Sequence, residues 1–313
     1  MKKIPVFLIN GFLDAGKTQF ILSTIRRDEF YINGKTLLVS FEQGETPYDE
    51  EELKRYNTKI VYFENKEDFK EEKLIEYVND FKPKRIVLEY NFLWDINTLT
   101  LSNNFIVSQI ITIVDGSTFP IYYSNMRQQF NDAFKISDVV AFTKLNDDIS
   151  SLAPYETGLK MINSQCLYCL IDENCISTKE AFETPLPYDI EQDEITIEDK
   201  DFGIFYIDTF KNRNAYEGKI VTFNAWVVKS NKLNKDEFIA GRKVLTCCAN
   251  DIQLYGFLSK SSLSLDLKDD SWIRITAKCH VEYNKNYDEE ELTLIPIDIT
   301  IIPEIKDPVL DLR

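Results

Sequence analysis

Short apolar runs alternate with amphipathic stretches over the first 182 residues of the chain. The runs have the length and composition of buried strands, and apolar residues between them recur at helical spacing. Strands are predicted at 6–9, 36–41, 60–63, 85–89, 105–114, 138–142 and 166–171. Helices are predicted near 20–25, 67–81, 117–135 and 155–162, and at the capping box Ser177-x-x-Glu180. This alternation predicts an α/β domain with a mostly parallel sheet and helices on both faces.

The pattern changes between residues 184 and 201. Two prolines and a run of acidic residues interrupt all periodicity there, which indicates an acidic linker over 185–201. Beyond it the pattern predicts strands only, near 203–210, 221–227, 238–247, 252–258, 273–281 and 292–302. Such a series predicts a small all-β barrel of OB type over 202–313.

The first strand leads into the glycine-rich motif Gly11-x-x-x-x-Gly16-Lys17-Thr18. Glycines let backbone N–H groups turn onto an anion, the lysine reaches the β- and γ-phosphates, and the threonine hydroxyl binds Mg²⁺. The residues expected to hold a nucleotide here are Gly11, Asp14, Ala15, Gly16, Lys17, Thr18 and Gln19. A glycine-rich turn between a core strand and a core helix is the alternative. The strand, loop and helix context favours a P-loop NTPase domain over residues 1–184.

Acidic side chains near this loop are candidates for holding Mg²⁺ and the attacking water. Glu89 directly follows a buried run, and acids at strand ends converge on the γ-phosphate in P-loop enzymes. We predict Lys17 and Glu89 as the catalytic pair and Thr18, Asp49 and Glu89 as the magnesium ligands. A solvated charge at a strand end is the alternative for Glu89. Glu42 could also approach the metal from the segment after the second strand.

Charge and hydropathy restrict the possible partners. The chain has 313 residues and a formal net charge of −16, which argues against nucleic acid as a partner because affinity for it comes from clustered Lys and Arg. No run of 18 apolar residues occurs. The basic start is followed by the first strand and not by a signal-peptide core. We therefore expect a cytoplasmic protein that is not itself inserted in a membrane.

The chain has one histidine, which excludes a His-rich metal site, and six cysteines. In a cytosolic chain, cysteines favour free thiols or metal ligands over disulfides. Cys166, Cys169 and Cys175 have knuckle-like spacing but lie in a strand pattern, which favours buried structural residues. For the adjacent Cys247 and Cys248, zinc binding and a structural role both stay open.

Several segments resemble the CobW/HypB/UreG family of metal-chaperone GTPases, over roughly residues 1–182. The matching segments, in family order, are INGFLDAGKT, FEQGETPYD, the strand-end Glu89, IVD at 113–115, and TKLN at 143–146. The resemblance implies a GTP-binding fold whose switch segments report nucleotide state to a bound metal or a client protein. It assigns Glu42, Gly44 and Asp49 to switch I, Glu89 to switch II, and Lys144 to stacking along guanine.

The chain departs from this family at three places. The family's Cys-x-Cys-Cys metal motif is missing after switch I, and Phe92 replaces a glycine three residues after the switch II acid. Asn146 stands where the family has the aspartate that reads guanine. Because Asn offers one acceptor and one donor, guanine preference is weakened or Asp147 takes over. GTP is therefore the first expectation and ATP remains open.

The C-terminal region resembles the C-terminal domain of an uncharacterised bacterial family encoded beside putative membrane permeases. The matching segments are Phe238-x-x-x-Arg242, TCCAND at 246–251, and DSWI at 270–273. The resemblance implies an accessory protein of a transport or metal-handling system.

Together these features predict Mg²⁺-dependent hydrolysis of GTP or ATP, coupled to metal handling through a metalloprotein client or to a membrane permease. Three alternatives remain: a nucleotide-sensing module with impaired catalysis, a metal-binding docking protein that uses Cys247 and Cys248, and a small-molecule kinase. The pattern leaves the oligomeric state open.

Overall fold

The parallel sheet expected near the N-terminus is present in a computed structural model, which describes residues 3–42, 47–63, 65–145, 149–182, 185–245, 252–261, 267–284 and 288–311. The chain divides into two units. The first comprises Met1–Pro154 and Gln165–Glu183, and the second comprises Tyr155–Ser164 and Thr184–Arg313.

Eight strands of the first unit form a single sheet. They are β1 (Ile4–Asn10), β2 (Thr36–Ser40), β3 (Thr58–Tyr62), β4 (Arg85–Glu89), β5 (Phe105–Asp115), β6 (Val139–Thr143), β7 (Leu167–Ile171) and β8 (Ser177–Glu180). Their spatial order is β3-β2-β4-β1-β5-β6-β7-β8. All neighbouring pairs are parallel except β7 with β8. The predicted α/β class with a mostly parallel sheet is therefore confirmed.

Helices cover both faces of this sheet, which explains why the strands are continuous apolar runs. The helices of the unit are α1 (Lys17–Ile25), α2 (Asp28–Tyr31), α3 (Glu50–Arg55), α4 (Glu71–Phe81), α5 (Phe119–Asn125) and α6 (Arg127–Ile136). Successive strand residues point to opposite faces, so Leu38 packs in the cluster that contains Ile21 of α1. Its neighbour Leu37 packs in the cluster that contains Leu74 of α4.

The helix predicted at the Ser177-x-x-Glu180 capping box is wrong. These residues form β8, which pairs antiparallel with β7, Cys169 lying opposite Glu180. A capping box starts a helix only where an apolar face follows that can be buried, and here the backbone instead pairs with the open edge of β7.

The second unit contains two α-helices and seven strands among its described residues. They are α7 (Glu156–Ile162), β9 (Glu194–Thr196), α8 (Phe202–Lys211), β10 (Ile220–Val228), β11 (Glu237–Leu245), β12 (Ile252–Lys260), β13 (Trp272–Asn284), β14 (Glu289–Ile302) and β15 (Val309–Asp311). Strand β10 pairs with both β13 and β11, and the ladder β11-β12-β14-β13 joins those two. Five strands therefore close on themselves. The OB assignment of this all-β sheet stays a prediction.

The strand predicted at 203–210 is wrong, because the segment is helix α8. Its aromatic residues pack on the closed strands: the Phe202 ring lies 5.7 Å from the Phe223 ring, and the Phe205 ring lies 5.2 Å from the Phe257 ring. These contacts override the strand preference of an aromatic-rich segment.

Part of the segment expected as an acidic linker is structured. Strand β9 pairs parallel with β10, and Ile195 and Ile197 are buried in the core of the second unit. The acidic side chains that alternate with them face outward, which is why the segment looks like a tether in the sequence. The domain boundaries themselves stay a prediction.

Within the described ranges, no helix has the length and apolar character needed to span a bilayer.

Candidate functional site

The loop between β1 and α1 adopts backbone conformations that glycine favours. Gly11 has a φ of 144°, and a Cβ there would lie 2.2 Å from the carbonyl oxygen of Ile113. Gly16 has a φ of 102° and Asp14 a φ of 60°. No side chain caps the first turn of α1, so its N-terminal N–H groups are available to an anion.

Lys17 is folded back over this loop and is 4% exposed. Its ammonium donates to the carbonyl oxygens of Gly11 at 2.6 Å and Phe12 at 2.9 Å. It also forms an ion pair with the Glu42 carboxylate. The charge of the P-loop lysine is thus balanced by a carboxylate that follows β2.

Glu89 lies at the end of β4, directly opposite Ser40 of β2. Its Oε2 accepts a hydrogen bond from the Ser40 hydroxyl at 2.7 Å, and its Oε1 lies 3.5 Å from the Thr18 hydroxyl. Burial raises the pKa of Glu89, and the Ser40 hydrogen bond and the Lys17 charge offset part of this effect. The fold therefore brings Lys17, Thr18 and Glu89 together, and their catalytic and magnesium-binding roles stay predictions.

Tyr48 is a residue of this site that the sequence analysis missed. Its ring is 9% exposed, and its buried hydroxyl makes no hydrogen bond of good geometry to any described residue. It lies beside Glu89 and Thr18; burial first, and then the Glu89 charge, raise the pKa of Tyr48 well above its usual range. The Oδ1 atom of Asn10, at the end of β1, is likewise buried without a partner. Two polar atoms left unpaired at the loop suit a site that is completed by a polar ligand.

The donors around Thr18 are chemically suited to Mg²⁺. A hydroxyl, a carboxylate and an unpaired phenol are oxygen groups, which hard divalent cations prefer. Asp49 has another use: its Oδ1 accepts the N–H groups of Glu51 at 2.9 Å and Glu52 at 3.2 Å and so caps α3. Metal binding by Asp49 stays a prediction.

A cavity of about 610 Å³ adjoins the loop on its other side. It is lined by Ala15, Gly16, Gln19, Phe142, Thr143, Lys144, Leu145, Leu170, Ile171, Asp172, Glu173, Cys175 and Thr178. Cavities of this size hold small organic ligands. Gln19 and Lys144, both predicted as nucleotide contacts, therefore lie at one cavity.

Lys144 is held at the cavity by two hydrogen bonds. Its ammonium donates to the Asp14 carbonyl oxygen and to Asp115 Oδ2, each at 2.8 Å. Burial acts to raise the pKa of Asp115, but the hydrogen bonds from Lys144 and Ser117 outweigh it and the pKa is lowered. Asn146, the predicted base-reading residue, lies outside the described residues, as do Gly44 and Asp147.

The wall formed by residues 172–176 was also missed by the sequence analysis. Asp172 Oδ1 accepts the N–H groups of Asn174 at 2.9 Å and Ile176 at 2.8 Å. An aspartate that turns the chain directly after a strand is the sequence signal that could have marked it.

Phe92, which replaces the family glycine, is 5% exposed. Its ring lies 5.9 Å from that of Phe12 in the P-loop and 4.8 Å from that of Phe130 in α6. The segment after Glu89 is therefore anchored by aromatic packing to the loop itself.

Four cysteines of the described chain are buried thiols that form no disulfide: Cys166, Cys169, Cys175 and Cys279. Burial raises the pKa of the Cys166 and Cys279 thiols to about 12. The described residues contain no group of three or more His, Cys, Asp or Glu side chains able to hold a metal ion. Cys247, Cys248 and Asp251 fall outside the described ranges.

Two family models match the chain. One, described as the CobW/HypB/UreG nucleotide-binding domain, matches residues 5–168. The other, described as the DUF1980 C-terminal domain, matches residues 176–310. Both resemblances drawn from the sequence are thereby confirmed.

Among curated proteins, UPF0703 protein YcgQ of Bacillus subtilis is 29% identical over 115 residues. That match covers 37% of this chain and 39% of the relative, so it spans about two fifths of the relative's length. HypB from Archaeoglobus fulgidus is a similar solved structure, at 15% identity and a TM-score of 0.38 over 54% of this chain and 81% of that one. The Zn(II)-bound YjiA GTPase from E. coli matches at 16% identity and a TM-score of 0.40, over 73% of this chain and 74% of that one.

Proposed function

The chain belongs to the CobW/HypB/UreG family of nucleotide-binding domains, and from this premise we propose that it binds a purine nucleoside triphosphate with Mg²⁺ and hydrolyses it, with GTP preferred over ATP. The observation that carries the proposal is the convergence of Lys17, Thr18 and Glu89 at a glycine-shaped loop. The cavity beside Lys144 adds room for a base on the other side of that loop.

The residues of the loop have separate tasks in this reaction. The backbone N–H groups at the start of α1 bind phosphate oxygens, and Lys17 stabilises the charge that develops between the β- and γ-phosphates. Lys17 must exchange the Glu42 carboxylate for phosphate, because the two anions compete for one ammonium. Glu89 orients the attacking water, and Ser40 holds one of its oxygens in place.

Thr18 and Glu89 would hold Mg²⁺, with Asp49 as a further ligand. The metal, when bound, supplies positive charge that neutralises the phosphate oxygens. The Tyr48 hydroxyl supports this assignment, since it lies beside the two proposed ligands and makes no hydrogen bond of good geometry to either.

A second candidate function is nucleotide sensing with impaired hydrolysis. Packing of Phe92 against Phe12 and Phe130 favours it, because a segment fixed in this way is poorly suited to move toward a γ-phosphate. Tight binding of GTP without release of phosphate in a single turnover would support sensing over hydrolysis.

The downstream role remains a proposal of the same kind. We infer coupling to metal handling, through a metalloprotein client or a membrane permease, from the family and from the match of residues 176–310. A cytoplasmic location fits that role. Zinc binding by Cys247 and Cys248 is tested by metal content before and after Cys248→Ser: a loss of zinc supports the site and an unchanged content removes it.

The main test is calorimetric titration with GTP, ATP and XTP, with and without millimolar Mg²⁺, followed by phosphate-release assays. Lys17→Ala should weaken binding by about ten- to a hundredfold, the effect of losing a charged hydrogen bond at a buried site. Lys54→Ala is the matched control, since Lys54 is an exposed lysine that pairs with the exposed Glu51. Preference for XTP would identify Asn146 as a base-reading residue. Absence of heat and of thermal shift with every nucleotide would overturn the proposal.

A further inference from the structure

Three side chains at and just beyond α1 contact the turn that follows β7, residues 172–176, here called the base turn. Gln19 Nε2 donates to the carbonyl oxygen of Glu173, and the Ser23 hydroxyl donates to that of Asn174 at 2.8 Å. Arg27 Nη2 donates to that of Cys175 at 3.1 Å. The three donors are spaced by four residues, so they follow one side of the helix, and they take three successive carbonyls of the turn.

Further hydrogen bonds of the base turn to described residues are made within the turn itself. The Asp172 carboxylate accepts the N–H groups of Asn174 and Ile176. The Asp172 carbonyl oxygen accepts the N–H of Cys175 at 2.9 Å, and the Asp172 N–H donates to the carbonyl oxygen of Ile176 at 3.0 Å. Its internal bonds give the turn its shape, and the contacts with the helix give it a position.

This position matters because the base turn is a wall of the cavity beside the P-loop. Asp172, Glu173 and Cys175 line the cavity, together with Gln19. The same helix begins at the P-loop, where its N-terminus faces the proposed phosphate site. One helix therefore carries the phosphate site at its end and fixes the base wall along its side.

We propose that Gln19, Ser23 and Arg27 are positioning residues that set the distance between the base wall and the phosphate loop. The proposal rests on the proposed function, because it assigns the cavity to the purine base. We call the hydrogen bonds of these three side chains to the base turn the clamp. Loss of the clamp should weaken binding of the nucleoside part of the ligand and leave binding of the triphosphate part unchanged. A change that only loosens the fold would weaken both.

The test compares the affinities of the full chain for GTP and for inorganic triphosphate, each with Mg²⁺. Ser23→Ala and Arg27→Ala should each weaken GTP binding about three- to tenfold, the effect of one lost hydrogen bond. Binding of inorganic triphosphate should stay unchanged. Ser23→Thr keeps the hydroxyl and should restore GTP binding.

The chain offers matched controls for both substitutions. Arg26→Ala removes an exposed arginine that pairs with Glu52, and Thr24→Ala removes a hydroxyl that donates to the Phe20 carbonyl oxygen within the helix. Neither touches the base turn, so neither should change the ratio of the two affinities. Hydrogen exchange of the peptide spanning 172–178 without nucleotide should rise in the Ser23 and Arg27 variants and not in the controls.

The outcomes separate this proposal from the function on which it rests. Wild-type protein that binds neither probe overturns the proposed function. Wild-type protein that binds GTP, with an unchanged ratio in both clamp variants, overturns the clamp alone. Equal weakening of both probes, without rescue by Ser23→Thr, also overturns it, because the residues then only stabilise the fold.

Discussion

Tyr48 is the residue whose hydrogen bonding the fold leaves incomplete. Its hydroxyl is buried beside Glu89 and Thr18, but neither side chain meets it with the geometry of a full hydrogen bond. An unpaired buried hydroxyl destabilises a fold, and a ligand that supplies an acceptor removes the penalty. The same atom should therefore oppose stability without nucleotide and favour binding when nucleotide is present.

Tyr48→Phe removes this hydroxyl and keeps the ring. We expect the free energy of unfolding without nucleotide to rise by about 1 kcal/mol, since the unpaired group is lost. Affinity for the Mg²⁺–nucleotide complex should fall about three- to tenfold. Urea unfolding and calorimetry measure the two effects. Tyr62→Phe, at a partly exposed position of β3, is the control, and a loss of stability in Tyr48→Phe would contradict the expectation.

Cys279 gives a stability that depends on pH. Burial raises its pKa to about 12 in the folded chain, against about 8.5 for an unfolded thiol. The folded chain then keeps a proton that the unfolded chain releases. The buried thiol's contribution to the free energy of unfolding is therefore fully present below about pH 8.5. It is lost as the pH rises toward 12, at about 1.4 kcal/mol per pH unit.

Cys279→Ala should remove the part of the pH dependence of the unfolding free energy that comes from this one thiol, which is at most about 1.4 kcal/mol per pH unit. Urea unfolding of wild type and variant, at pH values from about 8 to 10, isolates the effect from other groups that titrate in that range. Equal slopes in the two proteins would show that the thiol ionises equally in both states.

At the scale of elements, the segment after β4 is fixed by its aromatic contacts. Phe92 packs on Phe12 and Phe130, where the family glycine would leave a free backbone. A change of nucleotide state is therefore expected to act through the segment that begins at Glu42, whose carboxylate pairs with Lys17. The segment after Glu89 should change less between the nucleotide-free and nucleotide-bound states.

Phe92→Ala tests this anchoring. We expect a loss of about 3–5 kcal/mol in the free energy of unfolding, as for other buried phenylalanines. Leu93→Ala is the matched control, since Leu93 is 63% exposed and should change stability by less than about 0.5 kcal/mol. In wild type, hydrogen exchange of residues 90–94 should be the same with and without nucleotide. Strong nucleotide-dependent protection there would contradict a fixed segment.

The sequence predicts well those elements that are specified by neighbouring residues. It predicts poorly those whose secondary structure is decided by tertiary contacts. The apolar runs from β1 to β7 and the loop from Gly11 to Thr18 could be predicted because burial and glycine requirements are written in neighbouring residues. Strand β8 and helix α8 could not, since β8 depends on the open edge of β7 and α8 on aromatic contacts with β10 and β12.

The candidate site follows the same division. Lys17, Thr18 and Glu89 could be predicted from motif and strand end. Ser40 could be paired with Glu89 only from the register of β2 and β4. Tyr48 and the base turn needed knowledge of which segments meet.

At the scale of the whole molecule, charge and cores define what the chain can bind. Each unit has its own buried core, and the formal charge of −16 is spread over a chain with 36 basic and 52 acidic residues. A surface of this kind repels a phosphate backbone, although a single buried lysine can still bind a small anion.

Titration with a single-stranded oligonucleotide at physiological salt should therefore show no binding. The Trp226 ring, an aromatic group of the kind on which bases stack, is already covered by Lys243, whose ammonium lies 3.8 Å from the ring centre. GTP added to the same sample is the positive control. Binding that weakens steeply with salt would contradict the expectation, because it would reveal a basic surface.

The ion pair between Lys17 and Glu42 has a consequence for selectivity inside a cell. Inorganic phosphate is a small anion that competes for any bare ammonium, but here the ammonium already has a carboxylate neighbour and two carbonyl partners. An anion that binds Lys17 must displace the Glu42 carboxylate, and we expect this only of a ligand that also makes many contacts along the loop and cavity. We therefore expect the protein without nucleotide to bind inorganic phosphate only weakly.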